Sequence, residues 1–218
     1  MKCFLCDSKS TSVEHVPARS FFPKNKRFNL ITVPSCEKHN LDTSLDDEYI
    51  RDVIAMAKGT NSIAVNHFRD KGIKSLQKSP ALANLIAKNP KYLNFIKDNE
   101  ETKNLTYQVE RPRFDRVLKK IAYGLYFHKY KSTWNKELAI STDRLITENY
   151  EPDIIAEELK RHPELRDSAN YEGNNPDVFK FSFLDFSNRP DKFLLMNFYE
   201  YFEIWALPLE SSISSTLD

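Results

Sequence analysis

Val117, Leu118, Ile121 and Leu125 recur at the three- and four-residue spacing of one helical face and predict an amphipathic helix over 114–129. Arg116, Lys119 and Lys120 fall off that stripe. A second helix is signalled by Ser44-Leu45-Asp46-Asp47, a hydroxyl answered three residues on by an acid, with acids filling the first turn. Tyr49, Ile50, Val53, Ile54 and Ala57 carry it to about Lys58, where Gly59 stops it. Residues 61–99 read as short helical pieces broken near Gly72, Ser79-Pro80 and Asn89-Pro90. Strand patterns appear at 13–16, at 28–33 (ended by Pro34), at 105–109 and at 138–146. Another helix is expected over 152–160. Residues 178–186 and 193–207 are aromatic, strongly strand-like and best read as core. They are expected to pair around the Asn188-Arg189-Pro190-Asp191 turn. The tail at 211–215 is expected to fray.

The first forty residues hold few apolar side chains and no helical period, so a core there needs a staple. The order strand, loop, strand, helix is followed by a longer mixed stretch, giving an α+β fold with a small module at 1–58 and an accessory region at 59–218. With 218 residues, 40% of them hydrophobic and 29% charged, the chain can bury a core. No run reaches the length of a membrane span and the N-terminus lacks an apolar leader, so no membrane partner and a cytoplasmic location are expected. The net charge of +1 announces no global basic field. Four bases, Arg19, Lys24, Lys26 and Arg27, do cluster within nine positions. They suit phosphate contacts, and a solvated basic loop would look the same.

All three cysteines belong to one short constellation. Cys3-Phe4-Leu5-Cys6 is answered by Cys36-Glu37-Lys38-His39. Two knuckles of matching spacing supply the four thiolate and imidazole ligands of a structural zinc ion, and such a site suits a reducing compartment. Between them stand Glu14-His15-Val16-Pro17, and directly after the last ligand stands Asn40. Glu14 and Asn40 offer hard oxygen ligands for Mg²⁺ or Mn²⁺, and a neutral histidine can take a proton from water. A strand would point Glu14 and His15 to opposite faces. Either a turn brings both into one site, or His15 works from the far side of the phosphate. His39 is open to two readings, as zinc ligand or as last ligand of the catalytic ion, and its spacing from Cys36 favours zinc. His67, His128 and His162 lack acids at telling spacing and read as ordinary surface or core residues. Asp46, Asp47 and Glu48 read as a helix cap.

These residues, with Asn29-Leu30-Ile31-Thr32-Val33-Pro34-Ser35 before Cys36 and Ser44-x-Asp46-Asp47-Glu48-Tyr49 after Asn40, resemble the HNH endonucleases of the ββα-metal class. The resemblance covers about residues 1–55 and departs from the family at His39, where cysteine is usual. It implies that His15 is the general base, that Glu14 and Asn40 hold the catalytic ion, and that Asn29 supports the histidine. It further implies hydrolysis of nucleic acid, most readily DNA, as in effectors of bacterial restriction or anti-phage systems. A partner subunit or homodimer could complete such a system. The alternative is an inactive zinc module of the same kind that binds nucleic acid or a partner protein.

Overall fold

A computed structural model describes residues 1–41, 44–97, 100–145, 162–185 and 192–209. The chain is α+β with antiparallel sheets. Strand β1 (Ser12–His15) pairs with β2 (Thr32–Ser35), with Glu14 opposite Val33 and His15 opposite Thr32. Helix α1 (Glu37–Leu41) follows, then α2 (Ser44–Ala55). The rod of α3 (Ser62–His67), a π-turn (Phe68–Gly72) and α4 (Ile73–Lys78) leads to α5 (Pro80–Ile86). A hairpin of β3 (Lys91–Lys97) and β4 (Glu100–Thr106) precedes the long helix α6 (Arg111–Tyr130). After β5 (Leu138–Ser141) and α7 (Pro163–Asp167) come β6 (Glu172–Asn175), β7 (Phe179–Asp185), β8 (Lys192–Phe198) and β9 (Phe202–Pro208). These strands form a five-stranded antiparallel sheet in the order β5-β9-β8-β7-β6.

The expected stripe of α6 is buried at Val117, Leu118, Ile121 and Leu125, together with Phe114 and Ala122. This face joins one core with Phe4, Val16 and Phe21 from the N-terminal segment and Phe181, Met196 and Phe198 from the sheet. Along β8 the alternate residues Phe193 and Leu195 face a second cluster with Trp205 and Leu207, covered by Leu165, Ala169 and Tyr171. Burial on both faces explains why β7 to β9 read as nearly continuous apolar runs.

Several boundaries differ from the sequence expectations, each for an identifiable reason. Residues 193–207 form two strands, because Tyr199 (φ 51°) and Glu200 (φ 60°) fold the chain into a tight reversal. Helix α2 ends at Ala55, and the Thr60 hydroxyl caps the following turn by donating to the Ala57 carbonyl at 2.9 Å. Gly59 (φ 111°) has a different task. A Cβ there would lie 2.3 Å from the Tyr201 ring. Strand β2 starts at Thr32 because Asn29 is left-handed (φ 49°), and it runs through Pro34, which a two-stranded sheet tolerates on its outer edge. Residues 91–97, expected to be helical, are strand β3, whose formation depends on pairing with β4. The helix expected at 152–160, the turn at 188–191 and the tail at 211–215 lie outside the described residues.

His67, read as ordinary from sequence, is 5% exposed beneath this core. Burial first, then Arg51, Lys71 and Arg27, push its pKa down to about 4, against a weak opposing pull from Asp70. The unfolded chain, with an ordinary histidine near 6.5, binds more protons between those values. The stability His67 confers is therefore complete above pH 6.5 and is lost as pH falls toward 4. Urea unfolding between roughly pH 7.5 and pH 5 should show a destabilisation of about 2 kcal/mol that His67→Gln removes. An identical pH slope in the variant would contradict this assignment.

Candidate metal centre and its neighbours

Backbone ties position the two knuckles. The Cys3 N–H donates to the Ser8 carbonyl at 2.9 Å, turning the first knuckle on itself, and the Phe4 N–H donates to the Pro34 carbonyl at 2.9 Å. The first knuckle therefore lies beside the end of β2. The second is the β2–α1 junction, where the Asn40 N–H closes a helical turn on the Cys36 carbonyl at 3.0 Å. That turn brings Cys36 and His39, three residues apart, onto one side. His39 Nδ1 sits 3.4 Å from both Cys3 Sγ and Cys36 Sγ, and Cys6 Sγ is 3.9 Å from Cys36 Sγ. All four ligand atoms lie within 4.8 Å of one another.

A tetrahedral zinc ion with bonds of about 2.3 Å to sulfur and 2.0 Å to nitrogen has edges near about 3.8 Å and 3.5 Å. The cluster can hold such an ion, with Cys3, Cys6, Cys36 and His39 filling every position. All three cysteines are free thiols. Hydrogen bonds from Ser8 hold the Cys6 thiol below its ordinary pKa, which favours the thiolate that binds metal.

On β1, Ser12 and Glu14 share one face and His15 takes the other. Asn40 reaches the first face, donating its Nδ2 to Ser12 Oγ at 3.0 Å. Glu14 is 7% exposed. Its Oε1 lies 3.3 Å from Lys120 Nζ of α6, while its Oε2 is buried with no hydrogen-bond partner. Burial raises the Glu14 pKa, and Lys120 only partly offsets this. One turn further along α6, Gly124 allows the close approach. A Cβ there would lie 2.6 Å from Val16 Cγ2. Sequence spacing marked Lys120 as off the apolar stripe. That position is what lets it meet a carboxylate at the edge of the core.

His15 is half-buried, and burial, then the charge of Arg19, lowers its pKa, so it is neutral and basic at neutral pH. Asn29 is exposed at a left-handed bend before β2. Its carbonyl accepts from Asn174 at 2.8 Å, and among the described residues its side chain makes no hydrogen bond. The four bases part company. Arg19 and Lys24 are exposed, Lys26 pairs with Asp177, and Arg27 donates its Nε to the Phe22 carbonyl at 3.0 Å. Asp46 lies in the first turn of α2 as expected and is also bound by Arg113 at 2.6 Å and by Arg116, which clamps α2 to α6. Among the described residues, no helix is long and apolar enough to cross a membrane.

Comparisons with protein-family models, with curated proteins and with solved structures return no match.

Purified protein should carry one zinc ion per chain. Stripping it with a strong chelator, or Cys36→Ser, should cost about 3 kcal/mol or more, roughly 10 °C in Tm for a chain of this size. A metal-free chain of unchanged Tm would contradict the assignment.

Proposed function

We propose that this chain is a divalent-metal-dependent HNH endonuclease that hydrolyses phosphodiester bonds of nucleic acid, DNA first. The observation that carries the reading is the Glu14 carboxylate, whose buried Oε2 lacks a partner on the strand face that Asn40 also reaches. Two hard oxygens, one of them a buried carboxylate oxygen that Lys120 leaves without a hydrogen bond, suit a small divalent cation. A Mg²⁺ or Mn²⁺ ion held by Glu14 and Asn40 would neutralise charge at the scissile phosphate.

The chain's own residues do the rest. Neutral His15 takes a proton from the attacking water as the oxygen bonds to phosphorus. The P–O bond to the leaving oxygen breaks, and that oxygen gains a proton from solvent. Because β1 turns His15 to the face opposite Glu14, the water that His15 activates would approach phosphorus from the far side of the metal-bound phosphate, in line with the leaving oxygen. Arg19, near enough to lower the His15 pKa, would contact a flanking phosphate. The zinc cluster keeps Asn40, next to His39, in register with β1.

A second reading has one observation behind it. Lys120 already gives Glu14 a cationic partner, as expected of a zinc module that binds nucleic acid or a protein without cutting. Supercoiled plasmid distinguishes the two. Cleavage that needs Mg²⁺ or Mn²⁺ and falls about a hundredfold or more in His15→Ala, with zinc and Tm unchanged, is the expected result. Plasmid retention without nicking by the zinc-loaded chain would establish the second reading instead.

A further inference from the structure

Away from the thiol cluster, the buried face of α2 meets the rod of α3, the π-turn and α4. Arg51 of α2 is 1% exposed. Its Nε and Nη2 grip Asp52 at 2.7 and 2.8 Å, and Nη2 reaches Ser75 Oγ at 3.4 Å. Its Nη1 is buried without a hydrogen bond, and the nearest further carboxylate, Glu48, lies 3.9 Å away.

His67 is the second orphan. Tyr199 donates its hydroxyl hydrogen to the Phe21 carbonyl at 2.8 Å, so it must accept from His67 Nδ1–H, also at 2.8 Å. The ring thus presents a bare lone pair at Nε2, which is buried and unpartnered. Lys71 stands four residues further along the rod and Ser75 eight, so the three follow the rod at four-residue intervals. Lys71 is half-buried and makes no ion pair or hydrogen bond among the described residues. Arg27 spends only its Nε, on a carbonyl, and has no ion pair there either.

These groups form one electrostatic cluster. Arg51 and Arg27 both bear on Lys71, all three bear on His67, and Arg19 bears on Arg27. Three carboxylates share this neighbourhood: Asp52, already committed to Arg51, the half-exposed Glu48, both of which attract Lys71, and Asp70, which pairs with Arg69. An ordinary buried ion pair would explain Arg51 and Asp52. It does not explain why Lys71 and Arg27, both half-buried, make no ion pair here, since partly desolvated like charges near a buried guanidinium are costly without an anion. The site is rich in donors: the Arg51 Nη1–H, the Lys71 ammonium and the Arg27 Nη groups. Fork-shaped guanidinium donors beside a point-charge ammonium match a tetrahedral oxyanion. The local backbone is also specialised. A Cβ at Gly72 would lie 2.9 Å from Asp52 Oδ1 and 2.3 Å from the Phe68 ring, so glycine lets the π-turn press against the carboxylate that orients Arg51.

We propose that this cluster binds a phosphate group, held by Arg51, Lys71 and Arg27. It lies outside the cutting chemistry and does not depend on it. The phosphate can come from a free mononucleotide or inorganic phosphate, or from a nucleic-acid strand whose next contact is Arg19. The test is calorimetric titration of the zinc-loaded full chain, without Mg²⁺, with inorganic phosphate, a nucleoside 5′-monophosphate and a short DNA duplex. Lys71→Gln is the main variant, since it removes a half-buried unpaired charge and keeps the fold, and Arg27→Gln is the second. Loss of one charge-assisted contact should weaken binding about tenfold in either variant. Weakening seen with phosphate or the mononucleotide assigns a free-phosphate site, and weakening seen only with the duplex assigns a strand phosphate. If native and variant chains bind all three probes equally, or bind none, the cluster is structural only and the proposal is overturned. Because no cleavage is read, this outcome is separable from failure of the nuclease reading.

Discussion

The meeting of Cys3, Cys6, Cys36 and His39 governs how the N-terminal segment folds. Cys6 and Cys36 are thirty residues apart and their sulfurs come within 3.9 Å. Closing a loop of that length costs about 3 kcal/mol of chain entropy, and a two-stranded sheet of four residues per strand cannot meet that cost alone. A metal ion bound by three thiolates and an imidazole can. The geometry of the candidate site follows from this closure. Asn40 directly follows a ligand and bonds Ser12, and Ser12 shares a strand face with Glu14.

Helix α6 ties that closure to the rest of the chain. Its buried face packs between the N-terminal segment and the five-stranded sheet. Lys120 holds Glu14, Gly124 makes room for Val16, and Arg113 and Arg116 take Asp46 on α2. The candidate site is therefore not a free-standing module laid on a scaffold. One carboxylate of β1 is pinned by a lysine more than a hundred residues away in sequence. The same kind of long-range contact lies beside the Arg51 cluster, where Tyr199 of the β8–β9 turn links His67 to the Phe21 carbonyl.

What the sequence revealed and what it hid divide along the range of the interactions. The zinc knuckles, the α6 stripe and the start of α2 are local patterns, set by spacings of three or four residues, and they were legible. The β7 and β8 strands were legible because their composition is so apolar. The split at Tyr199 and Glu200 was not, since neither residue ordinarily adopts positive φ and tertiary contacts impose it. Strand β3 was hidden for a related reason, because Lys91–Lys97 becomes a strand only against β4. Pro34 misled as a strand end because its place on an outer edge cannot be read locally. Lys120, Arg51, Lys71 and His67 carry no motif. Lys120 matters through its pairing with Glu14, Arg51 and His67 through burial with one nitrogen left without a hydrogen bond, and Lys71 through its place beside them, which only the assembled fold shows. Glu14, His15 and Asn40 were picked out by pattern, and the fold adds that Glu14 and Asn40 approach one face while His15 takes the other.

The central claim is that one ion joins both knuckles through three sulfurs and one nitrogen. X-ray absorption at the zinc edge of the purified full chain tests it directly. The shell should hold three sulfur scatterers at about 2.3 Å and one nitrogen at about 2.0 Å. A first shell with two sulfurs or fewer, or with oxygen in place of the imidazole, would contradict it.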